Sequence, residues 1–237
     1  MKTNRKSALI AGIALIIMAV VAGFTYGYIH NTLVIANNPE STFNNLKLNG
    51  LLFQAEIFGW FFILVLDVVV AWALYFFFRD ENKKLSLLTA ALRIVFVFIF
   101  GVAIFNLIPV LKIVNGNISE VQTAAEQILI SLKSFETIWS FALIIFGFHL
   151  FALGVLAFQS KNIHNFWGIL LVFAAVCYTV INSAKFLLPE FENQVATAEM
   201  ILSLPMAFGE VGFAFWLIIR GGKSRIVYRQ TKPAVNS

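Results

Sequence analysis

Charged side chains are scarce in this sequence. They account for 12% of its 237 residues, about half the share of a soluble domain, while hydrophobic residues reach 60%. So little charge beside so much apolar mass points to a membrane protein. Cysteine is nearly missing too. The one cysteine, Cys177, excludes an internal disulfide, is silent on redox compartment and reads as packing. Alternating strands of about ten residues, the mark of a membrane β-barrel, are absent. So are a phosphate-cradling loop, a nucleophile elbow and any internal repeat.

What is present is oil in long pieces. Six apolar runs reach the roughly 20 helical residues that a bilayer crossing needs. They cover 7–29, 51–78, 85–111, 135–158, 165–188 and 200–219. Backbone groups in hydrocarbon must bond within their own segment, so each run is expected to be a helix. The fold class expected is all-α: a polytopic integral membrane protein, a six-transmembrane-helix bundle, one domain over 1–237 with a basic tail at 220–237. The 26 Phe lie mostly in these runs and serve as lipid-facing and packing mass. The first run follows Lys2, Arg5 and Lys6, as a signal peptide would. Its apolar stretch is longer than a signal core and no small-residue cleavage site follows, so it is read as retained.

Lys and Arg in the flanks set orientation. With the N-terminus in the cytoplasm, twelve basic residues fall inside, from Lys2 to Lys232, and only Lys47, Lys112, Lys133 and Lys185 fall outside. Both termini are therefore expected in the cytoplasm of a cell (inner) membrane. The net charge of +5 reads as topology and attraction to anionic membrane lipids, not as a nucleic-acid footprint.

Runs two and three, and runs four and five, are joined by short polar turns, which makes them antiparallel neighbours. The outer loops are longer. The first, about 30–50, is rich in Asn and shows no clear period. In the third, Ser119-Glu-Val-Gln122 fits a capping box. Val121, Ala125, Ile128, Leu129, Leu132 and Phe135 then recur at helical spacing. This predicts a short amphipathic helix, lying on the outer surface or continuous with run four.

The informative residues are the charges inside the runs. A charge at the bilayer centre costs roughly 2.5–3.5 kcal/mol, so it faces the bundle interior and finds partners. At about 1.5 Å per residue, Asp67 lies about 16 Å from the cytoplasmic end of its helix, Arg93 about 12 Å, His149 about 13 Å and Glu210 about 15 Å. These four titratable groups share one layer. Asp67 and Arg93 are on hairpin neighbours, so they are paired first, and Glu210 is assigned to His149, with Arg93–Glu210 as the rival. A second, outer layer holds Glu56, Asn106, Asn182 and Lys185, where Glu56 and Lys185 either pair or both touch water. Asn106 is about 140° around its helix from Arg93 unless Pro109 twists the end. Tyr178, Asn182 and Lys185 form a polar stripe on run five. Gly147 with Gly154, and Gly168 with Ala175, make small faces for close approach. Pro205 is placed in the first turns of run six.

Histidines offer no haem site, because His30 is placed at the outer surface and His164 at the inner one. A metal at His149, Glu210 and Asp67 is disfavoured by Arg93 in the same layer. No cofactor is expected. Trp60, Trp139 and Trp216 are read as packing.

The segments Leu74-Tyr75, Leu92-Arg93, Phe146-Gly-Phe-His-Leu-Phe-Ala-Leu-Gly154, Trp167-Gly-Ile-Leu170 and 209–221, beginning Gly209-Glu-Val-Gly212, resemble the bacterial membrane family catalogued as domain of unknown function 4386. The resemblance runs from the first helix to Gly221. It implies a six-helix inner-membrane protein, implies no activity, and puts Arg93, His149 and Glu210 at recurring family positions. The reading taken forward is a membrane protein that binds or transports a small solute, an ion or a proton through the buried layer, with Glu210 titrating. The alternatives are an intramembrane enzyme acting on a lipid or quinone, and a structural or regulatory subunit without chemistry.

Overall fold

The computed structural model describes residues 2–36, 38–116 and 120–222. The helices are α1 (Lys2–Ala22), α2 (Asn31–Leu33), α3 (Pro39–Leu48), α4 (Gly50–Phe78), α5 (Lys83–Phe105), α6 (Leu107–Asn115), α7 (Val121–Gln159), α8 (Asn165–Leu187) and α9 (Glu192–Ile219). A π-helical segment, Gly23–His30, joins α1 to α2, and a 3-10 turn, Pro189–Phe191, precedes α9. No strand is found among the described residues. Among the described residues six helices are long and apolar enough to cross a membrane: α1 with its π-helical extension and α2, α4, α5 with α6, α7, α8 and α9. Ser119 and the tail from 223 onward lie outside the described residues.

The six spans pack in chain order, each on its two neighbours, and α9 returns to α1. The result is a ring. Polar caps mark where the helices begin. Asn82 accepts from Leu85 N at 3.1 Å ahead of α5, and the His164 ring accepts from Phe166 N at 3.2 Å ahead of α8. His164 is thus a helix cap.

The ring is closed at α1–α9. The Arg5 guanidinium donates to Leu217 O at 3.1 Å, Gly221 O at 2.8 Å and Ile218 O at 2.5 Å. A cation there satisfies the last carbonyls of α9 and complements its dipole. Gly12 lets the backbones meet, since a Cβ at that position would stand 2.8 Å from Ala214 O. The α7–α8 wall is built the same way. A Cβ on Gly147 would lie 2.9 Å from Ala175 O, and one on Gly154 would lie 3.1 Å from Gly168 O. The two small faces expected from the sequence therefore sit on each other.

Aromatic rings fill the centre. At the end bearing the long connections, here the loop face, Trp60 of α4 meets Trp139 of α7 at 5.2 Å and Phe100 of α5 at 5.5 Å. At the other end Phe77 of α4 reaches Trp216 of α9 at 6.5 Å. Phe58, Trp72, Phe98 and Leu204 point outward and are exposed, as lipid-facing residues would be.

The loop face adds structure to the six runs. The first loop, in which the sequence shows no clear period, carries α3. Its start is signalled by Asn38, whose side chain accepts from Ser41 N at 3.0 Å, followed by Pro39 at the first helical position and Glu40. The amphipathic segment is continuous with run four in the 39-residue α7, about 58 Å long against a hydrocarbon core of about 30 Å. Its first half packs with α3 and α6 over the loop face. Lys47 ties that cap together by donating to Val114 O at 2.7 Å and Gly116 O at 3.1 Å. Pro205 is not in the first turns of its helix, since α9 begins at Glu192 and Pro205 lies well inside it.

Replacing Gly147 by Val drives two methyls toward the Ala175 carbonyl and the Thr179 hydroxyl. The expected cost is about 1–3 kcal/mol, read as a lower melting temperature of the purified protein in detergent. Gly101→Ala is the control, because its Cβ would meet only Leu64 at 3.4 Å.

Candidate functional site

The centre of the site is Arg93, 1% exposed and the largest of the fully buried side chains. Helix α5 stands between α4 and α7, so a long side chain on its inner face reaches both. Arg93 Nε donates to Asp67 Oδ1 at 2.8 Å, and its Nη2 lies 2.6 Å from the same oxygen. The pairing expected across the α4–α5 hairpin is present, although both nitrogens converge on one carboxylate oxygen instead of gripping two. On the other side Arg93 Nη1 lies 3.1 Å from His149 Nε2. Arginine only donates, so His149 Nε2 accepts. The ring proton is therefore on Nδ1, which donates to Thr89 O at 2.8 Å. His149 is held as a neutral imidazole in one tautomer by a backbone carbonyl one turn before Arg93. Phe146 covers the group, with the guanidinium carbon 5.3 Å from its ring centre and the imidazole stacked at 5.5 Å.

Glu210 comes to this layer on α9. Two glycines orient it. A Cβ on Gly209 would be 3.2 Å from Leu170 O, and one on Gly212 would collide with the Trp167 ring. One face of α9 thus lies flat on α8, and Glu210 turns toward Tyr178 of α8, on the side of Arg93 and Asp67. It is half-buried. The assigned Glu210–His149 pair does not form, because both imidazole nitrogens are already occupied by Arg93 and Thr89. The rival Arg93–Glu210 pair does not form either, because the guanidinium is turned to Asp67 and His149. With His149 neutral, Asp67 and Arg93 cancel. Glu210 is the member of the layer left without an ion-pair partner.

The expected outer layer does not assemble as one group. Lys185 pairs with Glu199 of α9 at 2.7 Å, not with Glu56. Asn106 donates to Val102 O at 2.9 Å and so caps its own helix. The helix breaks there because Pro109, three residues on, has no N–H for Phe105 O. Asn182 is buried, donates to Tyr178 O at 2.8 Å, and has no partner for Oδ1. Glu56 is fully buried, and its partner is His30, with Nδ1 to Oε1 at 2.7 Å. His30 is not at the outer surface but 3% exposed. Placing it outside followed from ending the first run at Ile29, whereas the helix winds on to Leu33. Glu136 lies 3.5 Å from the other side of the His30 ring, a neighbour that run lengths do not indicate. The one hint was its carboxylate at the oily start of run four.

Residues 10–221 match the family described as a domain of unknown function, DUF4386. The chain belongs to the DUF4386 family. An uncharacterized protein of Archaeoglobus fulgidus is 32% identical to it over 168 residues, which is 71% of this chain and 85% of that protein. That relative is archaeal, so the comparisons do not assign this chain to a bacterial inner membrane. No solved structure matches the chain. Two of the segments that carry the family resemblance, around Trp167 and Gly209, meet at the contact that turns Glu210 inward.

Arg93→Met strands the buried Asp67 carboxylate and is expected to cost about 3–5 kcal/mol of stability. Asp67→Leu combined with Arg93→Met is expected to recover most of that loss. Unfolding of the single and double variants in mixed micelles measures both.

Proposed function

We propose that this membrane protein binds a proton, and with it a small solute, at Glu210 inside the ring, with Asp67, Arg93 and His149 as the fixed wall of the site. The observation that carries the reading is the unequal pairing of the layer. Three groups saturate one another, and a carboxylate remains with no cation. A carboxylate in a low-dielectric interior is unfavourable unless it takes up a proton or a bound cation. Tyr178 faces Glu210 and offers a hydroxyl to either state. The nearby Arg93 charge, already committed to Asp67, shapes the local potential without occupying the carboxylate.

The twelve-to-four distribution of basic residues in the flanks supports placing both termini in the cytoplasm, with the loop face outside. A second reading, a structural subunit without chemistry, draws on the tightness of the Asp67–Arg93–His149 cluster.

Proteoliposomes carrying an internal pH dye separate the two. Under an imposed pH gradient the wild type is expected to admit protons faster than empty vesicles. Glu210→Gln, which keeps shape and loses the titrating group, is expected to slow that entry by about 100-fold, the scale of a positioned proton-transfer group. Lys185→Gln, outside the layer, is expected to leave it unchanged. Equal rates in wild type and Glu210→Gln would leave the structural reading standing.

A further inference from the structure

The first span does not end as an ordinary helix. Gly23–His30 winds as a π-helix, a rare winding that is frequent at functional sites. The segment leans on α4, where Gly59 leaves no room for a side chain beside Thr25. His30 is thereby carried into the loop end of the ring, and its imidazole has a carboxylate at each edge. Nδ1 is 2.7 Å from Glu56 Oε1, and Nε2 is 3.5 Å from Glu136 Oε1. These are the charged groups that face it among the described residues, Glu56 from α4 and Glu136 from α7. Tyr26 of its own segment stacks on the ring at 5.2 Å.

The trio is asymmetric. Glu56 is 0% exposed, whereas the Glu136 side chain is 48% exposed. Trp60 Nε1 donates to Glu56 Oε1 at 3.4 Å. Glu56 Oε2 and His30 Nε2 have no hydrogen-bond partner. Proton counting shows what is missing. A neutral imidazole has one N–H for two carboxylates, and an imidazolium serves both but leaves the trio at charge −1 in a low-dielectric setting. One further proton, on a carboxyl group, makes it neutral. The two carboxylates stand at opposite edges of one ring, so they do not converge on a common point as metal ligands must, and no metal-holding group is found among the described residues. The layout is that of a relay.

We propose that Glu136, His30 and Glu56 form a proton-loading site at the loop face, in which Glu136 takes a proton from water and His30 passes one on to the buried Glu56. In the transfer the O–H bond on Glu136 Oε1 breaks as an N–H bond forms at His30 Nε2. The proton on Nδ1 leaves for Glu56 Oε1. One proton has moved inward, and the imidazole is left as its other tautomer, reset when the chain runs in reverse. The site needs only that a proton is bound, so it stands whether or not Glu210 supports flux.

Time-resolved infrared spectroscopy after a pH drop, on the full chain in lipid nanodiscs, tests this. In the wild type a carboxylic-acid C=O band is expected to grow in. Glu56→Gln is expected to remove that band. Glu136→Gln is expected to keep its final size and slow its growth by about 100-fold. Glu136→Gln is an isosteric change at a half-exposed position, so it decides the matter even if the buried Glu56→Gln variant fails to fold. A growth rate unchanged by Glu136→Gln overturns the proposal. So does survival in Glu56→Gln of the band that persists in Glu210→Gln, because Glu56 would then be a permanently ionised partner. Glu210→Gln run in parallel removes only the band of the mid-membrane layer, so the fate of one site does not decide the other.

Discussion

A guanidinium buried in oil never loses its charge and has five N–H donors to satisfy. Meeting that demand orients three helices at once. Asp67 must turn toward α5 from one side and His149 from the other, which fixes the rotation of α4, α5 and α7 about their axes. The tautomer of His149 follows from the same demand, because a ring nitrogen that accepts from arginine must have its proton at the far side, where Thr89 O receives it. A lysine in place of Arg93 would present a single charged point and leave one neighbour unserved.

The other half of the ring is organised without charge. Glycines on α7 and α9 press onto backbone oxygens of α8, and glycine on α1 presses onto α9. Small residues at membrane interfaces allow this approach, in which van der Waals contact replaces the hydrophobic drive that lipid does not provide. Glu210 belongs to this half. It is positioned by backbone contact rather than held by an ion pair, so its carboxylate stays near the saturated trio without joining it.

Much of this was legible in the sequence, and the failures have physical causes. The six runs, the inward charges and the Asp67–Arg93 pair follow from lengths and a helical rise, because lipid removes most alternatives to a helix. The small faces of α7 and α8 are legible for the same reason. Depth counting puts Glu210 and His149 at one height, but height does not show that both ring nitrogens of His149 are already occupied, which is why the two do not pair. The loop end was read least well. The π-helical winding after Ala22 changes both the length and the facing of the first span, and no composition rule announces it. On run lengths alone His30 therefore counts as surface, and Glu56 is left either to pair with Lys185 or to touch water. Helix α3 went unseen because two buried apolar side chains, Phe43 and Leu46, make too brief a period, although Asn38-Pro39-Glu40 does mark its beginning.

The Arg5 clasp joins the two spans farthest apart along the chain. During synthesis the first five spans can form an open arc, with Arg5 facing an absent wall until Leu217 and Ile218 have been added. Only the sixth helix turns that arc into an enclosure. Until then the inner polar groups have no barrier against lipid along one side, so the arrival of α9 is the step that shuts the interior.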